Sequence, residues 1–178
     1  EPAWAFFANN SSNGDLYGKL YNGFVATDSR NCCPTGWTVP TTADWNTLTE
    51  YAGGGTVAGE KLKNSTDWNG TDEFGFNALP GGLRFALAGD LNEGTLFGQG
   101  YWWSSENSSA VDIFFYRVET FAPDLYESAE NYTLGMSIRC IKETSLGLNE
   151  NSTGGIESQV YPNPFTSSAT LVLSNKVV

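Results

Sequence analysis

Three cysteines, Cys32, Cys33 and Cys140, bound what this 178-residue chain can fold into. Adjacent cysteines rarely bond to each other, so a bridge would join Cys32 or Cys33 to Cys140. It would close a loop of about a hundred residues, worth roughly 4–5 kcal/mol in the chain-entropy model. One thiol is then left over: free, buried or intermolecular. Three cysteines in a chain without histidine make a poor zinc site. The alternative, three reduced cysteines inside a core, stays open at this point.

The chain divides by composition. Residues 1–142 read as one aromatic-rich globular unit, 143–159 as a polar Gly/Ser/Asn-rich linker, and 160–178 as a strand-like tail after two prolines. In the globular unit one helix is well signalled. Thr41 or Thr42 can cap it, Asp44 sits in its first turn, and Trp45, Leu48 and Ala52 form one apolar stripe. Gly53 to Gly55 stop it. A shorter helix is expected over Val57 to Lys63. Strands are expected over Leu16 to Ala26, Leu83 to Ala88, Val111 to Val118 and Leu134 to Lys142, with long loops at Asn64 to Gly82, Gly89 to Gly100 and Glu119 to Thr133. The pattern is α+β with few helices.

Charge excludes some functions. Nine basic residues face twenty acidic ones, a formal net charge of −11, so a nucleic-acid backbone or an anionic membrane surface would be repelled. No apolar run approaches the roughly 20 residues that span a bilayer. Charged residues are only 16% of the chain, so Asn, Ser, Thr and Gly must cover much of the surface. The chain starts at Glu1 without Met, so a removed signal or missing upstream residues are expected.

Five stretches stand out: Tyr17-Gly-Lys-Leu-Tyr-Asn22; Cys33-Pro-Thr-Gly-Trp-Thr-Val-Pro40 followed by Asp44-Trp45; Gly75-Phe-Asn-Ala-Leu-Pro-Gly-Gly82; Tyr101-Trp-Trp-Ser-Ser105; and Ser137-Ile-Arg-Cys140. Their residue types suit architecture: Pro40 directs the chain into a helix cap, and the Asn77 amide can replace missing backbone partners in a glycine-bounded loop. Trp37, Trp45, Trp68, Phe76 and Trp102 are enough for a small core.

In this order the five stretches resemble the Fibrobacter succinogenes major paralogous domain, a family of surface and secreted proteins, over about residues 3–142. That family is similar to the C-type-lectin-like fold, including its formylglycine-generating-enzyme branch, whose approach to the helix is like Gly36-Trp-x-Val-Pro-x-x-x-x-Trp45. The resemblance implies two short helices, a twisted antiparallel sheet, long loops and a bridge from Cys33 to Cys140. Cys32 is extra, and the family's usual leading strand is missing before Glu1. Val160-Tyr-Pro-Asn-Pro164, with a strand-like Ala169 to Leu173 after it, resembles the start of the type IX secretion C-terminal sorting domain of Bacteroidota. That resemblance implies a small β-sandwich of which only the beginning is present, and the type IX secretion machinery as a partner.

Catalysis is not expected. Without histidine there is no Ser-His-Asp or Cys-His machinery, and the oxidase cysteines of the formylglycine-generating relatives do not match Cys32, Cys33 or Cys140. Carboxylate pairs remain at Asp72 with Glu73, Asp90 with Glu93, and Glu127 with Glu130, all in expected loops. No cofactor is expected, with weak calcium candidates in Asp67, Asn69, Asp72, Glu73 and Asn77. Trp68, Trp102 and Trp103 are candidate sugar-stacking aromatics, because adjacent strand residues face opposite ways. Seven Asn-x-Ser/Thr sequons occur, among them Asn64, Asn69, Asn107, Asn131 and Asn151. The expectation is an extracellular or outer-cell-surface binding or adhesion module that contacts a glycan or a protein. The alternative is a subunit that assembles with itself into a layer or filament.

Overall fold

The computed structural model describes residues 1–85 and 98–142, together with the backbone of two further strands at 156–161 and 170–175. Residues 1–142 and 143–178 are separate compact units. The first is mixed α+β, as expected, with four short α-helices among the described residues where two were implied.

Its centre is an antiparallel meander of β4 (Gln99–Asn107), β5 (Asp112–Glu119) and β6 (Leu125–Asn131). Trp102 pairs with Tyr116, Trp103 with Phe115, and Tyr116 in turn with Glu127. Side chains alternate across such a sheet, so Trp102, Tyr116 and Val118 face one way and Tyr101, Trp103, Ile113 and Phe115 the other. Both sets are buried. A sheet covered on both faces explains why β5 reads as an almost unbroken apolar run, Ile-Phe-Phe-Tyr-Arg-Val. The expected strand at Val111 to Val118 is thus present, whereas Glu119 to Thr133, expected as loop, contains β6. Its sequence, Leu-Tyr-Glu-Ser-Ala-Glu-Asn, is mostly exposed and lies at the sheet edge, where an apolar alternation is not needed.

The Tyr116 face is covered by α3 (Thr42–Tyr51) and α4 (Gly55–Leu62), with Trp45, Ala52, Ala58, Leu62, Trp68 and Ala78 in one cluster with the sheet residues. Trp45 stacks on Tyr116 with ring centroids 4.7 Å apart. The expected stripe and cap are both realised. Thr41 Oγ1 accepts from Asp44 N, and Asp44 Oδ2 accepts from Thr41 N at 2.8 Å. Glu106 at the end of β4 adds a third anchor, accepting from Thr42 N at 2.8 Å. Gly59 lets α4 lie flat on the chain entering β6: a Cβ there would stand 2.1 Å from the Asp124 carbonyl oxygen.

The Phe115 face is covered by shorter pieces. The span Leu16 to Ala26, expected as one strand, divides instead into the end of α1 (Ser11–Tyr17), β2 (Leu20–Asn22) and α2 (Gly23–Ala26). Asn10 caps α1 by accepting from Ser12 N at 3.0 Å, and Gly18, at φ 79°, turns the chain out of it. The expected strand at Leu134 to Lys142 is likewise broken into β7 (Gly135–Met136) and β8 (Ile141–Lys142). β1 (Trp4–Ala5), β2 and β7 form one small antiparallel sheet, and β3 (Trp37–Thr38) pairs with β8. Of Leu83 to Ala88, Arg84 makes an isolated bridge to Gly135, and residues 86–88 lie outside the described residues. The Cys33–Cys140 disulfide is formed, with the Cα atoms 5.9 Å apart.

In the second unit β9 (Ile156–Tyr161) pairs antiparallel with β10 (Thr170–Asn175), from Thr170 opposite Tyr161 to Asn175 opposite Ile156. β9 begins at Ile156, within the stretch expected as a linker over 143–159, and residues 143–155 lie outside the described residues.

Candidate functional site

The three tryptophans expected to stack on a ligand are core residues. Trp68 is 2%, Trp102 4% and Trp103 0% exposed. Trp102 and Trp103 do face opposite ways, but each side of the sheet is covered, so neither reaches solvent. Their neighbours use the indoles structurally: Trp68 Nε1 donates to Thr120 Oγ1 at 2.8 Å, and Trp103 Nε1 to the Tyr21 carbonyl at 2.8 Å.

Two of the calcium candidates, Asp72 and Asn77, are engaged within their own loop. Asp72 Oδ1 accepts from Asn77 N at 2.7 Å, and Asn77 Oδ1 accepts from Asn64 Nδ2 at 2.6 Å. Asn64 Oδ1 takes the amides of Thr66 and Asp67 at 2.8 and 2.6 Å. The role expected of the Asn77 side chain, replacing backbone partners, is thus performed by Asn64 and Asp72. Asn69, Asp72 and Asn77 hold φ of 53°, 47° and 52°, a conformation that Asn and Asp tolerate. Beneath the loop, Arg139 Nη2 donates to the Asn77 carbonyl at 3.1 Å, and its guanidinium lies 3.9 Å from the Phe76 ring centroid. Burial pulls Arg139 down to about 10, with the Asp72 charge acting in the opposite sense. Among the described residues no group of three or more His, Cys, Asp or Glu side chains is gathered so as to hold a metal ion.

The carboxylate pairs do not converge. Asp72 serves the loop, while Glu73 Oε2 lies 3.4 Å from Lys61 Nζ. Glu127 accepts from the Tyr116 hydroxyl at 2.5 Å, whereas Glu130, opposite Ile113, is on the other face of β6. Asp90 and Glu93 lie outside the described residues.

What the surface does offer is a different set of aromatics. Tyr51, at the end of α3, is 72% exposed, and its ring centroid lies 4.9 Å from that of Phe74. Lys61 Nζ lies 5.9 Å from the Phe74 centroid and forms the pair with Glu73. Phe74 also packs against the buried Trp45 cluster. A phenol, a phenyl edge and an ion pair therefore border one patch on a rigid base. Composition alone did not single these residues out. The available signal was that Tyr51 falls outside the stripe of Trp45, Leu48 and Ala52, and so points away from the core.

Two other aromatics stand out. Phe121, 97% exposed, caps the turn between β5 and β6. Lys63 Nζ holds that turn from within, donating to the carbonyls of Glu119, Thr120 and Ala122 at 3.1, 3.1 and 3.0 Å. Desolvation lowers the Lys63 pKa, with Glu60 opposing. Trp4, 52% exposed, already carries the Lys19 ammonium 3.9 Å from its ring centroid.

Cys32 is the free cysteine. It is exposed as a residue, yet desolvation raises its pKa, so little thiolate forms beside the neighbouring bridge. Of the sequons, Asn69, Asn107 and Asn131 are exposed, Asn64 is engaged in the loop, and Asn151 lies outside the described residues.

No curated protein and no solved structure matches the chain. The family model of the Fibrobacter succinogenes major domain matches residues 1–142, which is the whole of the first unit, disulfide included. The chain belongs to the Fibrobacter succinogenes major domain family.

Proposed function

We propose that this chain is a secreted or cell-surface binding and adhesion module without catalytic activity, exported and anchored through a C-terminal sorting signal. The observation that carries the reading is the exposed Tyr51 ring against half-buried Phe74, beside Lys61–Glu73, on a base of helix and buried tryptophan. A disulfide that closes most of the unit suits an oxidising compartment. Two helices packed on an antiparallel sheet, long hydrogen-bonded loops and the Cys33–Cys140 bridge are compatible with a C-type-lectin-like fold. Val160-Tyr-Pro-Asn-Pro164, whose first two residues end β9, supports the sorting reading.

Two experiments test it. Protease shaving of intact producing cells should release the module, and deleting residues 160–178 should leave it inside the envelope; unchanged surface display after the deletion would contradict the sorting signal. Attachment of the purified chain to intact cells and to a glycan array tests binding, and silence in both would count against it.

One observation favours self-assembly as a second reading: β6 is an exposed edge strand of seven residues. Glu127 and Glu130 put charge on both of its faces, which disfavours pairing between copies. A monodisperse monomer in light scattering is incompatible with this second reading.

A further inference from the structure

We infer that Tyr51, Phe74, Lys61 and Glu73 form a subsite for an uncharged glycan, a pyranose stacked on the Tyr51 ring with its hydroxyls on the Lys61–Glu73 pair; the inference rests on the binding reading above. Phe74 is the common neighbour: the Tyr51 ring lies 4.9 Å and Lys61 Nζ 5.9 Å from its ring centroid. Phe74 is itself wedged against the Trp45 cluster. The platform is therefore ordered before any ligand arrives, which lowers the entropic cost of binding.

The chemistry of the patch discriminates between occupants. A sugar ring has an apolar C–H face and a polar rim. The face covers aromatic surface, and the rim supplies donors and acceptors to replace the water around an ion pair. Lys61 donates and Glu73 accepts, so the pair can hold adjacent hydroxyls at once. An apolar protein side chain placed here would strip water from the pair without replacing those bonds, at a net cost. An anionic polysaccharide meets Glu73 in the patch and a formal net charge of −11 overall. An uncharged glycan meets neither penalty.

Of the other exposed aromatics, Trp4 and Phe121 lack this combination, whereas Tyr126 lies 5.1 Å from the Arg117 guanidinium, itself paired with Glu119, and is far less open than Tyr51, at 37% against 72%. The Lys19 ammonium sits against Trp4 at 3.9 Å. Around Phe121, the carbonyls of Glu119, Thr120 and Ala122 turn inward to Lys63.

The test is affinity electrophoresis of the full chain in native gels containing hydroxyethylcellulose, arabinoxylan, galactomannan or polygalacturonate. At least one neutral polysaccharide should retard the chain, and polygalacturonate should not. Tyr51→Ala should weaken the retardation by roughly tenfold or more, as loss of a central aromatic contact does. Tyr51→Phe should keep most of it, and Lys61→Met or Glu73→Gln should weaken it severalfold, all with unchanged melting temperature. Retardation by no neutral polysaccharide, or retardation that Tyr51→Ala leaves intact, overturns the subsite. If the gels are silent while the chain still attaches to intact cells, the subsite fails and the binding reading stands; if attachment is absent too, both fail.

Discussion

On the face of the central sheet that carries Tyr116 and Val118, the cover is two helices, the first closed by a capping box, and a loop whose amides are taken by Asn64 and Asp72. On the face that carries Ile113 and Phe115, the cover comes from α2, β7 and loop residues such as Val39, Leu83 and Ile138, with β2, β3 and β8 as further elements, none longer than four residues. A helix satisfies most of its own backbone and needs only packing and caps. Segments of two or three residues cannot stand alone. Here they are held by the Cys33–Cys140 bridge, by the bond from Trp103 Nε1 to the Tyr21 carbonyl, and by the Arg84–Gly135 bridge. The difference teaches where variation is tolerated. The helix side keeps its shape through local bonds and can present exposed residues such as Tyr51. The other side depends on a covalent tie between positions 107 apart.

Breaking that tie is the largest perturbation. Cys33→Ser with Cys140→Ser should cost roughly 4–5 kcal/mol in denaturant unfolding, the loop-closure term for a bridge of this span. In hydrogen exchange, amides of β3 and β7 should lose protection before those of α3. Equal loss on both sides would erase the contrast drawn above.

Next come the two indoles that fill opposite faces. Trp45→Ala and Trp103→Ala should each cost about 3–5 kcal/mol in thermal unfolding. The faces differ in how they are closed, and both are dry, with Trp45 2% and Trp103 0% exposed. A cost under about 1 kcal/mol for either would mean that its face is open to water.

Removing the Lys63 ammonium as Lys63→Met leaves three carbonyls without their donor and should cost about 1–3 kcal/mol. Chemical-shift changes should centre on residues 119–122 and spare the disulfide side.

The smallest effect is a pH dependence to which the helix side contributes through Tyr116. Burial, followed by the hydrogen bond to Glu127 and the charges of Glu127 and Glu106, holds the Tyr116 phenol well above its ordinary value of 10.0. A raised pKa means that the folded state keeps a proton the unfolded state has lost. The stabilisation is complete below pH 10 and falls as pH rises beyond it. Thermal scans from pH 9 upward should show that decline, and Tyr116→Phe should reduce it, the remainder coming from Tyr21 and Tyr101 on the other side, whose phenols burial also raises.

These features differ in how far the residues announce them. Thr41, Asp44 and the stripe of Trp45, Leu48 and Ala52 signal α3 because cap and packing are local in sequence. β6 is silent because an exposed edge strand needs no apolar period. Leu16 to Ala26 misleads because its apolar residues are spread over three short elements, in which only Leu20, Gly23 and Ala26 are buried. The tryptophans mislead for a related reason: facing away from a neighbour means solvent only when one side of the sheet is open. Tyr51 and Phe74 come together across the α3 terminus and the loop after α4, a contact that spacing along the chain does not reveal.

The central claim is that the helix side works and the disulfide side holds. Tyr51 and Trp4 are exposed aromatics on opposite sides, so the most direct measurement compares Tyr51→Ala with Trp4→Ala for retention of the full chain on insoluble neutral polysaccharide. Loss of retention with Tyr51→Ala and its persistence with Trp4→Ala is the predicted result. The reverse pattern would contradict the account.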